Sequence, residues 1–174
     1  MRRRKIETTE MLKKNMGTAL LELMKEKPLK KITIEELTKK ADVGRATFFR
    51  HFKTKEDLIS YILLEMYKDY MTERKDEEAD DFLHGIHFFD FYRSTFDIHT
   101  MLIETQNENA IFNAYLHFFS PDSKQYPSKQ KYTYYYIAYG LFGTTMKWLK
   151  DGCKESSEEM AKLCLQLISS AKQE

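Results

Sequence analysis

Residues 33–58 read TIEELTKKADVGRATFFRHFKTKEDL, and this stretch decides the fold. Thr33 followed three residues later by Glu36 is a capping box, which opens a short helix running to about Lys40. Asp42-Val43-Gly44 makes a tight turn, since Asp and Gly tolerate unusual backbone angles. A second short helix follows over 45–52, and Thr54 caps a third. Two short helices can cross only if their contacting faces are apolar, and Ile34, Leu37, Ala41, Val43, Phe48 and Phe52 supply those faces. The second helix then presents Arg45, Ala46, Thr47, Phe49, Arg50 and His51 on its other side. Arg can hold guanine by two hydrogen bonds, and Thr and Ala methyls can touch a thymine methyl. The pattern implies a helix-turn-helix that lays one helix in a groove of double-stranded DNA. Helix N-termini at Thr33 and Thr54 offer N–H groups to phosphates, with Lys53 and Lys55 flanking the second.

Outward from this segment the chain is helical throughout. Leu12, Met16, Ala19, Leu20, Leu23 and Met24 step by three and four, predicting a helix over about 5–25 that Pro28 stops. Ahead of it, Arg2, Arg3, Arg4 and Lys5 form a basic arm with two readings: a groove-reaching extension or a solvated tail. After Thr54, the face Leu58, Ile59, Ile62, Leu63, Met66, Tyr67, Tyr70 defines a connector helix that fades into the charged stretch 73–81. Two or three aromatic-rich helices follow over 82–119, with breaks near Thr95 and Gln106, and 120–128 reads as a loop. A helix over about 129–150 ends at Asp151-Gly152. A second capping box, Ser156 with Glu159, opens the last, on which Met160, Leu163, Cys164, Leu167, Ile168 and Ala171 keep helical spacing. The expected fold is all-α with about nine helices: a helix-turn-helix head over 1–60 and a helical body over 61–174, to which the resemblance named below assigns DNA binding and effector binding with dimerisation respectively.

Charge divides along the same line. Residues 1–60 carry 16 Lys/Arg against 9 Asp/Glu, and the remainder 12 against 18, so a net charge of +1 hides a basic head on an acidic body. A basic head suits a polyanionic partner, although uneven surface charge alone gives the same count. No apolar run is long enough to span a bilayer, and the basic N-terminus lacks a signal peptide's apolar core, so no membrane partner and a cytoplasmic location are expected. Cys153 and Cys164 make no disulfide framework, and Cys164 falls on an apolar helical face.

Residues 5–65 resemble the N-terminal domain of TetR-family transcriptional regulators. That resemblance rests on Thr47-Phe48-Phe49-Arg50-His51-Phe52-Lys53-Thr54-Lys55-Glu56-Asp57-Leu58, where the family has an aromatic-x-His-Phe pattern followed by Lys-x-Lys-Glu-x-Leu. It implies that Arg45, Ala46 and Thr47 face bases, with Thr33, Phe49, His51 and Lys55 near phosphates or the groove wall; Gly44, Arg50 and Lys53 complete the expected DNA-binding set. Three positions depart from the pattern. Phe49 replaces the usual Tyr and so lacks its phosphate-donating hydroxyl, Asp42 replaces the commoner Gly, and Gly44 replaces the commoner Ser cap.

The segment 135–168 resembles the C-terminal region of a short TetR subfamily typical of Gram-positive bacteria, with Tyr139-Gly140-Leu141-Phe142-Gly143 and Met146-Lys147-Trp148-Leu149. This implies a homodimer joined through the last two helices, with Gly140, Gly143, Trp148, Leu163 and Leu167 as interface candidates. Gly140 and Gly143 admit a close backbone approach, from a partner or from within the subunit. Phe88, Phe89, Tyr92, Phe112, Tyr115, Tyr135 and Tyr139 are candidates to line a site for a small apolar or aromatic effector; the alternative is a core of large rings. His84 and His87 have the spacing of two metal ligands or are ordinary helix histidines, and no third ligand is specified. With no nucleophile elbow, phosphate loop or paired cysteines, no enzyme activity, cofactor or metal is expected. The function these readings imply is a ligand-responsive repressor on a palindromic operator; an activator or a ligand-independent DNA-binding factor is the alternative.

Overall fold

The computed structural model describes residues 2–74, 80–119 and 128–172, with side chains over 8–74, 80–117 and 131–170. The side chains of the basic arm, Phe118 and Phe119, Ala171, the acidic residues at 75–79 and all of the expected loop but Ser128 lie outside the described residues. Within them the chain forms α1 (Arg2–Glu26), α2 (Ile34–Lys40), α3 (Arg45–His51), α4 (Lys55–Thr72), α5 (Asp81–Ser94), α6 (Phe96–Glu104), α7 (Glu108–Phe119), α8 (Ser128–Lys150) and α9 (Ser157–Lys172). A 3-10 turn at Leu29–Lys31, which periodicity did not reveal, joins α1 to α2.

Local chemistry sets the ends of these helices. Thr33 Oγ1 accepts from Glu36 N (3.1 Å) while Glu36 Oε2 accepts from Thr33 N (2.9 Å), completing the first capping box. Ser156 and Glu159 do the same for α9, at 3.2 and 2.7 Å. At the other end, α2, α6 and α8 stop by one shared device. A residue with φ of +52° (Asp42), +59° (Gln106) or +83° (Gly152) turns the chain left-handed. The amide after it then bonds back to the carbonyl of Thr38 (2.9 Å), Leu102 (2.7 Å) or Trp148 (2.9 Å). Gly44 needs no such freedom: at φ −75°, ψ 146° it is extended and serves as the N-cap of α3, so the turn depends on Asp42 alone.

Two compact units result, Met1–Met66 with Met101–Ala114, and Tyr67–Thr100 with Tyr115–Glu174. In the first, Met16 and Leu20 of α1, Leu37 of α2, Phe48 of α3 and Leu58 and Ile59 of α4 are fully buried. Gly17 is where α1 meets α4: a Cβ there would lie 2.6 Å from the Ile62 Cβ. Ion pairs Lys27–Glu36 and Lys40–Glu22 (3.1 Å) tie α2 to the α1 end. Ser60 Oγ lies 3.0 Å from the Ala110 carbonyl, linking α4 to α7 within this unit.

In the second unit α5 packs closely on α9, where a Cβ on Gly85 would sit 3.1 Å from that of Ala161. Its core is aromatic. Phe88 meets Tyr92 at 4.9 Å and Tyr115 at 6.3 Å between ring centroids, Phe89 meets Trp148 at 5.3 Å, and His99 meets Tyr92 at 4.7 Å. No described helix is long and apolar enough to cross a membrane.

Candidate nucleic-acid interface

The two faces of α3 are separated by chemistry. Phe48 is fully buried and meets Phe52 at 6.0 Å, and Phe52 in turn meets Tyr61 of α4 at 5.5 Å. These rings anchor the helix. Arg45, Ala46, Phe49 and Arg50 are exposed on the far side, with Lys53 just beyond, while Thr47 and His51 are half-buried at its margins. Phe49 leaves its phenyl ring 58% exposed on the face it shares with the two arginines. The N-cap Gly44 makes no side-chain hydrogen bond, and a Cβ added to it meets nothing within 4 Å, so nothing inside the chain demands glycine here.

The neighbouring cap residues are less available than the sequence suggested. The Thr33 hydroxyl is spent within its capping box, donating to Glu36 Oε2 at 2.9 Å. Hydrogen bonds from Lys27 and then Thr33 pull the Glu36 carboxyl down to about 2. Lys55 is a correction. Its ammonium turns inward to the carbonyls of Leu29 and Ile32 (2.7 Å), where it closes the 3-10 turn instead of flanking a phosphate. Nothing in the sequence around Lys55 signals that inward bond. Thr54 caps α4 by accepting from Asp57 N (3.0 Å), and Asp57 Oδ2 accepts from the Lys53 and Thr54 amides. Burial holds the His51 imidazole below its usual pKa, with the Lys13 and Arg50 charges acting the same way and Glu10 opposing them.

The candidate residues of the body separate into an inner and an outer set. Phe88, Phe89, Tyr92 and Tyr115 are brought together, but as rings packed on one another. Burial raises the pKa of the Tyr92 and Tyr115 hydroxyls well above the usual tyrosine value. Tyr139 is not among them: it is 52% exposed on α8, with half-buried Tyr135 a turn earlier at 6.3 Å. Phe112 belongs to the other unit. Trp148 is also a correction. It is 2% exposed, donates from Nε1 to the Glu155 carbonyl (3.1 Å) and lies under the Arg93 guanidinium, so it is a core residue and not an interface residue. Gly140 and Gly143 face open space, which removes the reading that they serve close packing inside the subunit. Leu163 and Leu167 are exposed on α9. Together with Tyr136, Tyr139 and Cys164, Leu167 borders a groove of about 450 Å³ between α8 and α9. His84 is exposed with Nδ1 3.0 Å from the carbonyl of Asp80, His87 is buried, and no metal-binding cluster occurs among the described residues.

A recognition helix anchored by buried rings and offering arginines to solvent, followed by an all-helical body, defines a helix-turn-helix DNA-binding transcriptional regulator. Residues 18–62 match the family described as bacterial regulatory proteins, tetR family, and residues 87–170 match a transcriptional regulator C-terminal region. The chain belongs to the TetR family of transcriptional regulators. Solved structures share the fold at low identity. A TetR transcriptional regulator from Rhodococcus sp. RHA1 superposes with a TM-score of 0.55 at 14% identity, covering 91% of this chain and 96% of that one. One from Streptococcus agalactiae 2603V gives 0.54 at 16%, covering 97% and 99%. The fatty acid degradation regulator FadR from Bacillus halodurans gives 0.50 at 15%, covering 88% and 96%. No curated protein sequence matches the chain.

Proposed function

We propose that the chain is a homodimeric repressor that reads a palindromic operator with one α3 per half-site and releases it when a small effector binds the body. The observation that carries this reading is the outward face of α3, where Arg45, Ala46, Phe49 and Arg50 stand free of the core. Arg45, Ala46 and Thr47 read bases, Phe49 lies against sugar or groove wall, and Arg50 and Lys53 hold backbone phosphates. DNA binding is assigned to residues 1–60, and effector binding and dimerisation to 61–174. The dimer forms through α8 and α9, with Tyr136, Tyr139, Gly140, Gly143, Leu163 and Leu167 in the contact. Two-fold pairing must then set the recognition helices roughly 34–36 Å apart, one turn of DNA. An effector that favours another helix arrangement changes that spacing.

A second reading is a ligand-independent factor, favoured by one observation: Phe88, Tyr92 and Tyr115 already fill one another's space. A gel shift of the full chain on duplex from its own upstream region, at moderate salt, tests the DNA reading. Binding no tighter than to random duplex rejects it. Reporter expression after deletion distinguishes a repressor from an activator.

A further inference from the structure

The hollow of about 450 Å³ between α8 and α9 has rims and a floor of different exposure. Tyr136, 72% exposed, and Tyr139 form the α8 rim, and exposed Leu167 forms the α9 rim. The floor is recessed: Ile137, Leu141 and Ile168 are half-buried and Cys164 is buried. Gly140 leaves the α8 wall open, because a Cβ there would meet nothing within 4 Å. A hollow of this size means that the two helices do not interdigitate along this stretch. Helix α9 is held from its other side, where Gly85 of α5 meets Ala161.

None of the lining residues is charged. Thr144 Oγ1 donates to the Gly140 carbonyl at 2.9 Å, so its proton is committed within α8. Two other depressions of the same unit differ in chemistry. One at the start of α9 includes Asp90, Arg93, Lys154 and Glu158, and one beside Phe82 includes Lys162 and Gln166. Small-molecule sites span roughly 300–1,000 Å³ and are mostly apolar and aromatic with a few polar groups. Water suits such a floor poorly, since it finds few hydrogen bonds there. A second copy resting on the rims would seal the floor beneath it as a void, which forfeits packing. The aromatic core is no competitor for a ligand, because Phe88, Tyr92 and Tyr115 pack on one another.

We propose that this groove binds one uncharged apolar or aromatic molecule, laid along the floor with a polar atom toward the Tyr136 hydroxyl. The inference rests on the ligand-responsive reading above and places the effector on the dimer-facing surface, outside the packed core. Of the effector candidates read from the sequence, Tyr139 borders it. The whole lining comes from one subunit, so the site is complete without a partner. A second copy laid on the rims encloses it, and the occupant becomes part of the surface on which the copies pair.

The probe is Nile red, an uncharged aromatic dye that brightens in apolar surroundings, titrated into the full chain. The expected result is saturable binding of one dye per chain. Gly140→Leu fills the open wall without meeting the rest of the subunit, and should weaken the dye by about tenfold or more with unaltered helix content. Leu163→Lys alters the exposed face of α9 outside the groove and should leave dye affinity unchanged. No saturable binding, or binding that persists in Gly140→Leu, overturns the proposal. An equal loss in Leu163→Lys also overturns it, since the dye would then need paired subunits and not the groove. Sedimentation of the same samples reports pairing separately. A monomer that binds the dye keeps the site and removes the dimer reading, whereas a dimer that binds none does the reverse.

Discussion

Gly17→Ala is the substitution whose cost the structure sets most sharply. A Cβ on Gly17 would lie 2.6 Å from Ile62 Cβ, 2.8 Å from Cγ1 and 3.0 Å from Cδ1. Carbon atoms pack best at about 3.5–4.0 Å, so the helices must part by about 1 Å. A rotamer change cannot relieve the contact, because the nearest atom is itself a Cβ fixed to the α4 backbone. The parting opens the layer that holds Leu20, Leu58 and Ile59, all fully buried. Overpacking of this kind costs about 1–3 kcal/mol, and alanine returns about 1 kcal/mol of helix propensity. The net expectation is a destabilisation of up to about 2 kcal/mol, or a Tm lowered by up to about 8 °C at this chain length. Thermal melts followed by circular dichroism measure it. Gly44→Ala is the control, since its added Cβ meets nothing within 4 Å. A raised Tm in Gly17→Ala would refute the close approach of α1 to α4.

Arg45→Ala should weaken binding to the upstream duplex by about 1–3 kcal/mol with unaltered helix content, and equal loss on random duplex would make Arg45 a phosphate contact instead. Gln106→Gly, which relieves an L-residue at φ +59°, should raise urea stability by about 0.5–1 kcal/mol; a loss would show that the Gln106 side chain does more than turn the chain. Leu167→Lys on the exposed face of α9 should shift sedimentation from dimer toward monomer without a change in helix content, whereas Trp148→Ala should lower the Tm, Trp148 being buried. His99 has its pKa pushed down to about 4 by burial, against about 6.5 when unfolded. The native state therefore binds fewer protons, and stability on the order of 3 kcal/mol should be lost as pH falls from 6.5 through 4. His99→Phe should flatten that loss in urea titrations at each pH, and a loss of the same size in the variant would place its origin elsewhere.

What could be read from the sequence was what acts within three or four residues. Both capping boxes, the stop at Asp151-Gly152 and the breaks near Thr95 and Gln106 correspond to observed helix ends, because a cap is a local bond between near neighbours. The family motif likewise sits in one continuous stretch. What escaped depends on a distant partner. The sequence places Lys55 beside a phosphate-holding helix N-terminus because its acceptors, Leu29 and Ile32, are more than twenty residues upstream. Gly17 carries a local sign of its close approach, being a lone glycine inside an otherwise apolar helical stretch. The association of Met101–Ala114 with the first unit had none, since α6 and α7 are apolar enough to pack in several ways.

Helix α9 carries apolar positions that the described residues cover only in part. Its apolar positions keep helical spacing, yet Met160, Ala161 and Cys164 are buried while Leu163 and Leu167 are exposed. At about 100° per residue, those positions spread from Leu163 to Ala161 over an arc of about 160°. One neighbouring helix covers little more than half of such an arc, and α5 takes the half that includes Ala161, against Gly85. The uncovered half carries Leu167, 56% exposed, and continues onto α8 at Tyr136, Tyr139 and Gly140 across the groove between the two helices. An arc too wide for its own subunit leaves apolar surface in water unless a second surface covers it. The glycines facing outward at 140 and 143 would let that surface come close. A second copy of the same two helices, related by a two-fold axis, meets both conditions with no further sequence requirement.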